Sequence, residues 1–539
     1  MVIHGMGEQR PMETLRGFVE TLWERDSSLF AGLSKPSDHA NSDTWSKPDP
    51  LTGSSELRRI TTAHGRDPNV PSEPGIRADF FELHWADITA DSTWTDFALW
   101  LIRLLWRNPV ACEVPKRVLF VWCLLWITFF AVLSSGLFTA LTMAQVFKDP
   151  GTYKFLSWSG WGWVTVAILI FGTAVKGFLI AYFGDVARYV SASPRNIKVR
   201  QAARDRGLKL LSDLHASGKY MRIVIVGHSL GSILAHDLLA LAWAEAAGKI
   251  QLQEGDPIDA AVAACEETGI DLLRASNAEP LPPREVSRHD RGCICSKTPP
   301  TFKSELAQRL AKYRLAQRDL FWLLSKVKTG SQGDERRAWL VSDLVTLGSP
   351  LTHASFLLAQ NSCELYEMMR TRELLRAPPV YEKKKNSDKM VFTFPSPKDL
   401  AATQMHHATA FAPVRWTNLH DATKPWMFLR GDLISGPVAG EYGPGVLDLK
   451  VQPLRQGLLG GLFPRLFTHT LYWSYPHKAK GAAPSHIEAL RLAVNALDDP
   501  ASERRLMTLF EKDQLTTPGD VAMASPQKGS DVEGCFPER

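Results

Sequence analysis

At 539 residues the chain has room for several domains, or for one large domain carrying insertions. Its 45% hydrophobic and 22% charged residues exclude a wholly disordered chain. A net charge of +5 without a dense basic stripe gives no case for a nucleic-acid partner. Seven scattered cysteines, an odd number, argue against a disulfide framework and fit a reducing compartment.

The chain opens on "MVIHGMG", in which Val2-Ile3 predicts a short strand. No signal-peptide pattern precedes it, and a strand beginning at residue 2 leaves open a start upstream. A helix is expected near 12–25. The stretch 34–75, rich in Ser, Asp, Pro and Gly, reads as a long polar loop, and 76–87 alternates like a strand. "FALWLIRLLW" (97–106) has the character of an interfacial or a buried amphipathic helix.

Two apolar segments follow. Residues 118–147 carry no charge, and residues 158–183 are interrupted only by Lys176. A spanning helix needs about 20 apolar residues, so both segments predict transmembrane helices joined by the loop 148–157. Arg103, Arg107, Lys116 and Arg117 lie before the first, and Arg188, Arg195, Lys198, Arg200, Arg204 and Arg206 after the second. The connecting loop carries only Lys148 and Lys154. The basic flanks place both termini in the cytoplasm, with Trp158, Trp161 and Trp163 as an aromatic belt at the far interface.

Beyond the hairpin, 194–218 is helical in pattern. Ile223–Val226 is an apolar strand, and a small-residue helix follows Ser229. Residues 250–300, with Pro257, Pro280, Pro282 and Pro283, read as irregular. Residues 302–327 predict an amphipathic helix, and 338–350, 414–421 and 445–451 predict strands. The tail after about 515 reads as disordered. Alternating strands and helices predict an α/β domain with a mostly parallel sheet.

Within that pattern "GHSLG" stands between strand and helix, the context of a nucleophile elbow. Gly227 and Gly231 leave room for a sharp turn that exposes Ser229, and His228 supports the turn. The following helix directs backbone N–H groups at a developing oxyanion, with Leu230 N–H as the first donor. "VIHGMG" is suited to the second. Met6 is the expected donor, with Gly5 or Gly7 as alternatives, and His4 is expected to brace the loop. No metal site is expected. Cys293 and Cys295 have no second pair, and the pair His406 and His407 lacks accompanying ligands.

"VIHGMGEQRP", "FFELHWAD", "GDVARYV", "YMRIVIVGHSLGS", "LVTLGSPLTH" and "RWTNLHD…RGDLISGP" together resemble the bacterial lipase-like α/β-hydrolases, in a membrane-inserted branch of that superfamily. The resemblance covers most of 1–30, 76–90, 184–245 and 338–475. It implies an α/β-hydrolase fold interrupted by a two-helix transmembrane hairpin. The expected parts are 1–117, the N-terminal part of the hydrolase domain with the polar insertion 34–75; 118–183, the hairpin; 184–515, the main hydrolase domain with an insertion at about 250–335; and 516–539, the tail. It also implies a chain order of Ser, acid, His. Asp432 in "RGDLISGP" matches the family's Asp-x-Ile-x-Gly-Pro stretch, with Asp421 as the alternative and Asp343 expected to be structural. His469 in "THTLYW" matches its His-x-x-Tyr-Trp stretch, with His477, His486 and His353 as alternatives. The expected activity is ester hydrolysis on a lipid or acyl ester at the inner membrane, needing no cofactor. A thioesterase, an amidase or a non-catalytic membrane-tethered module remain alternative expectations.

Overall fold

The computed structural model describes residues 1–5, 10–32, 43–52, 56–70, 72–89, 194–276, 304–328, 337–421, 431–455, 468–475 and 483–515, apart from single positions and pairs within them. It also describes Tyr189 and scattered residues between 105 and 134. Its centre is a parallel sheet whose strands alternate between two covering layers. β1 (Val2–Ile3), β2 (Glu82–Leu83), β3 (Ile223–His228), β4 (Val341–Leu347), β5 (Arg415–Asp421) and β6 (Val446–Val451) lie in the order β6-β5-β4-β3-β1-β2. Every neighbouring pair is parallel. The chain is therefore an α/β protein, and the strands are apolar on both sides because both faces are covered.

The pleat sorts the side chains. Ile3, Ile225 and Leu344 join the core of one layer, while Val2, Val226 and Val345 join the core of the other. The first layer includes α2 (Pro194–Ala216), through Ala203, Leu210 and Leu214, and α3 (Leu230–Ala247), through Leu234, Leu238 and Trp243. The second includes α1 (Glu13–Val19) and two C-terminal helices. The order reverses at β1, which pairs with β2 on one side and β3 on the other. In open α/β sheets such a reversal opens a crevice beyond the carboxyl ends of the strands.

Three expectations change. The polar stretch 34–75 is not simply a loop. Thr44–Pro48, Arg58–Arg66 and Pro74–Phe80 form a three-stranded antiparallel sheet. Its strands bury few side chains and keep many polar ones partly exposed, which gave them a loop-like composition. The strand expected over 76–87 is split, with Pro74–Phe80 in that small sheet and β2 at the edge of the large one. The irregular stretch 250–300 begins with a helix, α4 (Pro257–Ala275), whose proline occupies the first turn, where it breaks no hydrogen bond. The helix expected over 302–327 is α5 (Ser304–Leu324), and α6 (Ser485–Val494) and α7 (Pro500–Leu515) close the chain's helical part.

The two apolar segments 118–147 and 158–183 lie almost wholly outside the described residues, as do 97–104 and the tail beyond 515. Among the described residues one helix, α3, is long and apolar enough to cross a membrane, and two thirds of its apolar window is buried inside the molecule (67%). It packs as a core helix against the sheet.

Candidate active site

The register of the sheet brings three strand ends together. Ile3 pairs with Gly227, and His228 pairs with Leu347, so Gly5, Ser229 and Gly348 follow the ends of β1, β3 and β4. Ser229 N–H donates to Leu347 O at 2.9 Å, and Gly348 N–H donates to Leu419 O at 3.1 Å. Ser229 sits between β3 and α3 at φ 51°, ψ −129°. Left-handed backbone at a serine costs about 1–3 kcal/mol and persists only where its surroundings impose it. Both flanking glycines are required. A Cβ at Gly227 would lie 2.6 Å from Ser232 Cα, and one at Gly231 would lie 2.4 Å from His4 O. The hydroxyl of Ser229 is buried and has no hydrogen-bond partner among the described residues. Its carbonyl accepts from Ser232 Oγ, which also contacts Ser349 Oγ at 2.6 Å.

The loop after β1 approaches this serine closely. A Cβ on Gly5 would lie 2.8 Å from Ser229 Cβ, so the backbone passes where only glycine fits. His4 is bonded within this loop and across to β2's end. Its Nδ1–H donates to Gly5 O at 2.8 Å, and its Nε2 accepts from Trp85 N–H at 3.1 Å. Its ring stacks on Trp85, and burial pushes its pKa down to about 4, so it stays neutral. Downstream, Met12, at φ 71°, donates its N–H to Glu82 Oε2 at 2.7 Å. Burial pushes the Glu82 carboxyl up to about 7. Met6 and Gly7 lie outside the described residues. Leu230 is the first residue of α3, where backbone N–H groups have no partner within the helix.

Asp432 and His469 meet as a pair. His469 Nδ1–H donates to Asp432 Oδ2 at 2.9 Å, both side chains being buried. Asp432 Oδ1 accepts from the backbone N–H groups of Ile434 (3.0 Å) and Ser435 (3.3 Å), and Tyr472 Oη donates to Oδ2 at 2.8 Å. Burial works against the charge of Asp432. The facing imidazole and the other donors outweigh it and hold the carboxyl down at about 2. His228 ties this pair to the serine. Its Nε2–H donates to His469 O at 2.8 Å, and its ring centroid lies 4.9 Å from that of His469. Gly348 lies against the same group at φ 58°, where a Cβ would come within 2.8 Å of Tyr472, 3.1 Å of Asp432 and 3.2 Å of His469. Ser229, Asp432 and His469 thus converge on the turns beyond the sheet's carboxyl edge.

The alternatives are engaged elsewhere. Asp421 accepts from Thr468 Oγ1 and shapes the loop that carries His469. Asp343 is ion-paired with Arg222 and Arg415. His486 contacts Ser474 O from α6, and His353 lies in the turn Pro350–His353, ahead of Asp432 in the chain. His477 and the pair Cys293 and Cys295 lie outside the described residues. His406 braces backbone at Val380 O and Ala408 N, and His407 contacts Arg372 O. No group of His, Cys, Asp and Glu among the described residues is arranged to hold a metal.

Sequence reasoning passed over Gly348 and the Ser232–Ser349 pair, and gave Tyr472 no role beyond its place in the His-x-x-Tyr-Trp stretch. Tyr472 was within reach. It follows His469 by three residues, a spacing that brings side chains to one side of a tight turn. Comparison of the chain with protein-family models, with curated proteins and with solved structures returns no match.

Proposed function

We propose that the protein is a membrane-associated serine hydrolase of the α/β-hydrolase type, cleaving lipid or acyl esters through Ser229, His469 and Asp432. The observation that carries this reading is the Asp432–His469 pair beside a serine held in left-handed backbone between a parallel strand and a helix. His469 Nε2 takes the Ser229 proton as Oγ attacks the ester carbonyl carbon. The N–H groups of Leu230 and, on the sequence reading, Met6 receive the oxyanion. Collapse expels the alcohol, which takes the proton back from His469 and leaves an acyl-serine. Water, deprotonated by His469, attacks the acyl carbon, and the acid leaves as Ser229 Oγ takes that proton back from His469. Asp432 holds the imidazole in the tautomer with Nδ1–H and stabilises its charged form. The chemistry requires neither metal nor organic cofactor.

The bilayer enters as anchor and as source of substrate. The uncharged length of 118–147, the nearly uncharged length of 158–183 and their basic flanks support a hairpin with the catalytic part on the cytoplasmic side. Ile127 (65% exposed), Phe130 (57%) and Leu133 (56%) are helical and face outwards, a cluster that water does not favour and acyl chains do. Upstream of these residues, Arg107 contacts the segment that follows β4. Arg107 Nη1 donates to Gln360 O at 2.6 Å, and its guanidinium lies over Phe356. Phe356 and Gln360 belong to the segment that leaves Gly348.

The test is hydrolysis of a chain-length series of esters and thioesters by the full chain in membranes, against Ser229→Ala. The expected result is ester cleavage that falls at least about a thousandfold in the variant. A folded wild type without hydrolytic activity would leave only a tethered binding module. Faster turnover of the thioesters would move the assignment to a thioesterase.

A further inference from the structure

We propose that Tyr472 is a positioning residue of the triad: its hydroxyl shares Asp432 Oδ2 with His469 and so sets how strongly the carboxylate holds the imidazole. The inference rests on the triad reading above and adds a member to it.

Asp432 accepts four hydrogen bonds. The two from backbone N–H groups go to Oδ1, and the two from side chains, His469 Nδ1 and Tyr472 Oη, go to Oδ2. A carboxylate oxygen has two good acceptor positions, so Oδ2 is fully used. A donor on the same oxygen draws charge away from the imidazole and fixes the direction of the remaining lone pair. Tyr472 is held for this task. It is buried, its ring lies against Gly348, and the glycine's missing side chain makes the space. Burial raises its pKa well above the ordinary value, with the charge of Asp432 adding to the effect, so the hydroxyl remains a donor. The titratable groups facing it are Asp432, Asp421, His228 and His469. Asp421 accepts from Thr468, and burial pushes His228 down to about 3, so His228 stays neutral across the range measured.

Phenylalanine at 472 keeps the ring and removes the donor. Asp432 then pulls harder on the His469 N–H, the charged imidazole is favoured, and the active neutral form is reached only at higher pH.

The experiment uses the full chain in detergent micelles, as wild type, Tyr472→Phe, Asp432→Asn, the double variant and Ser229→Ala. Hydrolysis of a short-chain nitrophenyl ester is followed from about pH 5 to 9. Rates are divided by the amount of folded protein, measured by size-exclusion chromatography and near-UV circular dichroism, so that unfolded protein drops out. For Tyr472→Phe the acidic limb of kcat/KM is expected to move up by about half a pH unit. The plateau of kcat is expected to fall roughly three- to tenfold with KM unchanged. In the Asp432→Asn background the same substitution is expected to have no effect, because its route is through the carboxylate. An unmoved limb with a plateau within about twofold of wild type, or an equal loss in both backgrounds, would overturn the role of Tyr472. Ser229→Ala with wild-type hydrolysis would instead overturn the triad itself.

Discussion

At Asp432 a carboxylate taken out of water stays charged because four donors converge on it. Its carboxyl, held at about 2, is ionised across the whole range in which a histidine base works. Asp432→Asn keeps the shape but can donate to His469 and favour the wrong tautomer. It should lower kcat by about 10³–10⁴ with little change in KM, as read by steady-state kinetics. Gly348→Ala acts differently. The new Cβ meets Tyr472, Asp432 and His469 together, in left-handed backbone that alanine resists. Activity per folded molecule should fall at least about tenfold. Near wild-type activity would show that the group tolerates displacement.

At the scale of elements, the strand ends position the chemistry and the strand beginnings hold the sheet to its outer helices. Asp343 at the start of β4 pairs with Arg222, just before β3, and with Arg415 at the start of β5. Arg415 reaches Asp498 and Glu503, and Glu503 also binds Arg314 of α5. Arg415→Ala takes one cation from Asp343, Asp498 and Glu503, which keep Arg222, Arg318 and Arg314, and should cost about 3 kcal/mol of stability. Denaturant unfolding measures the loss, while fluorophosphonate reactivity of the folded fraction should be unchanged. The elements that carry the elbow were legible beforehand because their signals are local: an apolar run of four, two glycines two residues either side of a serine, then a helix. Gly5 and His4 were legible for the same reason. The small antiparallel sheet was not, because strands with one solvated face have the composition of loops. α4 was missed because Pro257 was read as a breaker when it opens a helix. Asp432 and His469 came from a resemblance and not from periodicity, since their pairing joins residues 37 apart through tertiary structure. The ion network was illegible for the same reason: Asp343 was set aside because it lay within a strand, with no sign of its pairing with Arg222 and Arg415.

For the whole molecule, buried histidines set the response to acid. Burial lowers His4 and His236 to about 4 and His228 and His406 to about 3, from an ordinary 6.5. The unfolded chain therefore binds protons below pH 6.5 that the folded chain refuses, and stability falls as pH drops through that window. Each group contributes up to about 1.4 kcal/mol per pH unit. Glu82, raised to about 7 by burial, acts in the opposite sense between 4.5 and 7; burial also raises Glu266 and Asp513. The four histidines outweigh the three carboxyls, so the melting temperature should fall between pH 6.5 and pH 4.5. A flat or rising profile would contradict this balance. In membranes, a reporter fused to the C-terminus should be cytoplasmic, and its appearance on the other side would reverse the proposed orientation. The central claim is that one serine, at the carboxyl edge of the parallel sheet, is a nucleophile. It is tested most directly by treating the full chain with a fluorophosphonate and mapping the adduct by mass spectrometry. A single adduct on Ser229 is expected, absent in Ser229→Ala and strongly slowed in His469→Ala. An unmodified Ser229 in folded protein, or an adduct on another residue, would contradict it.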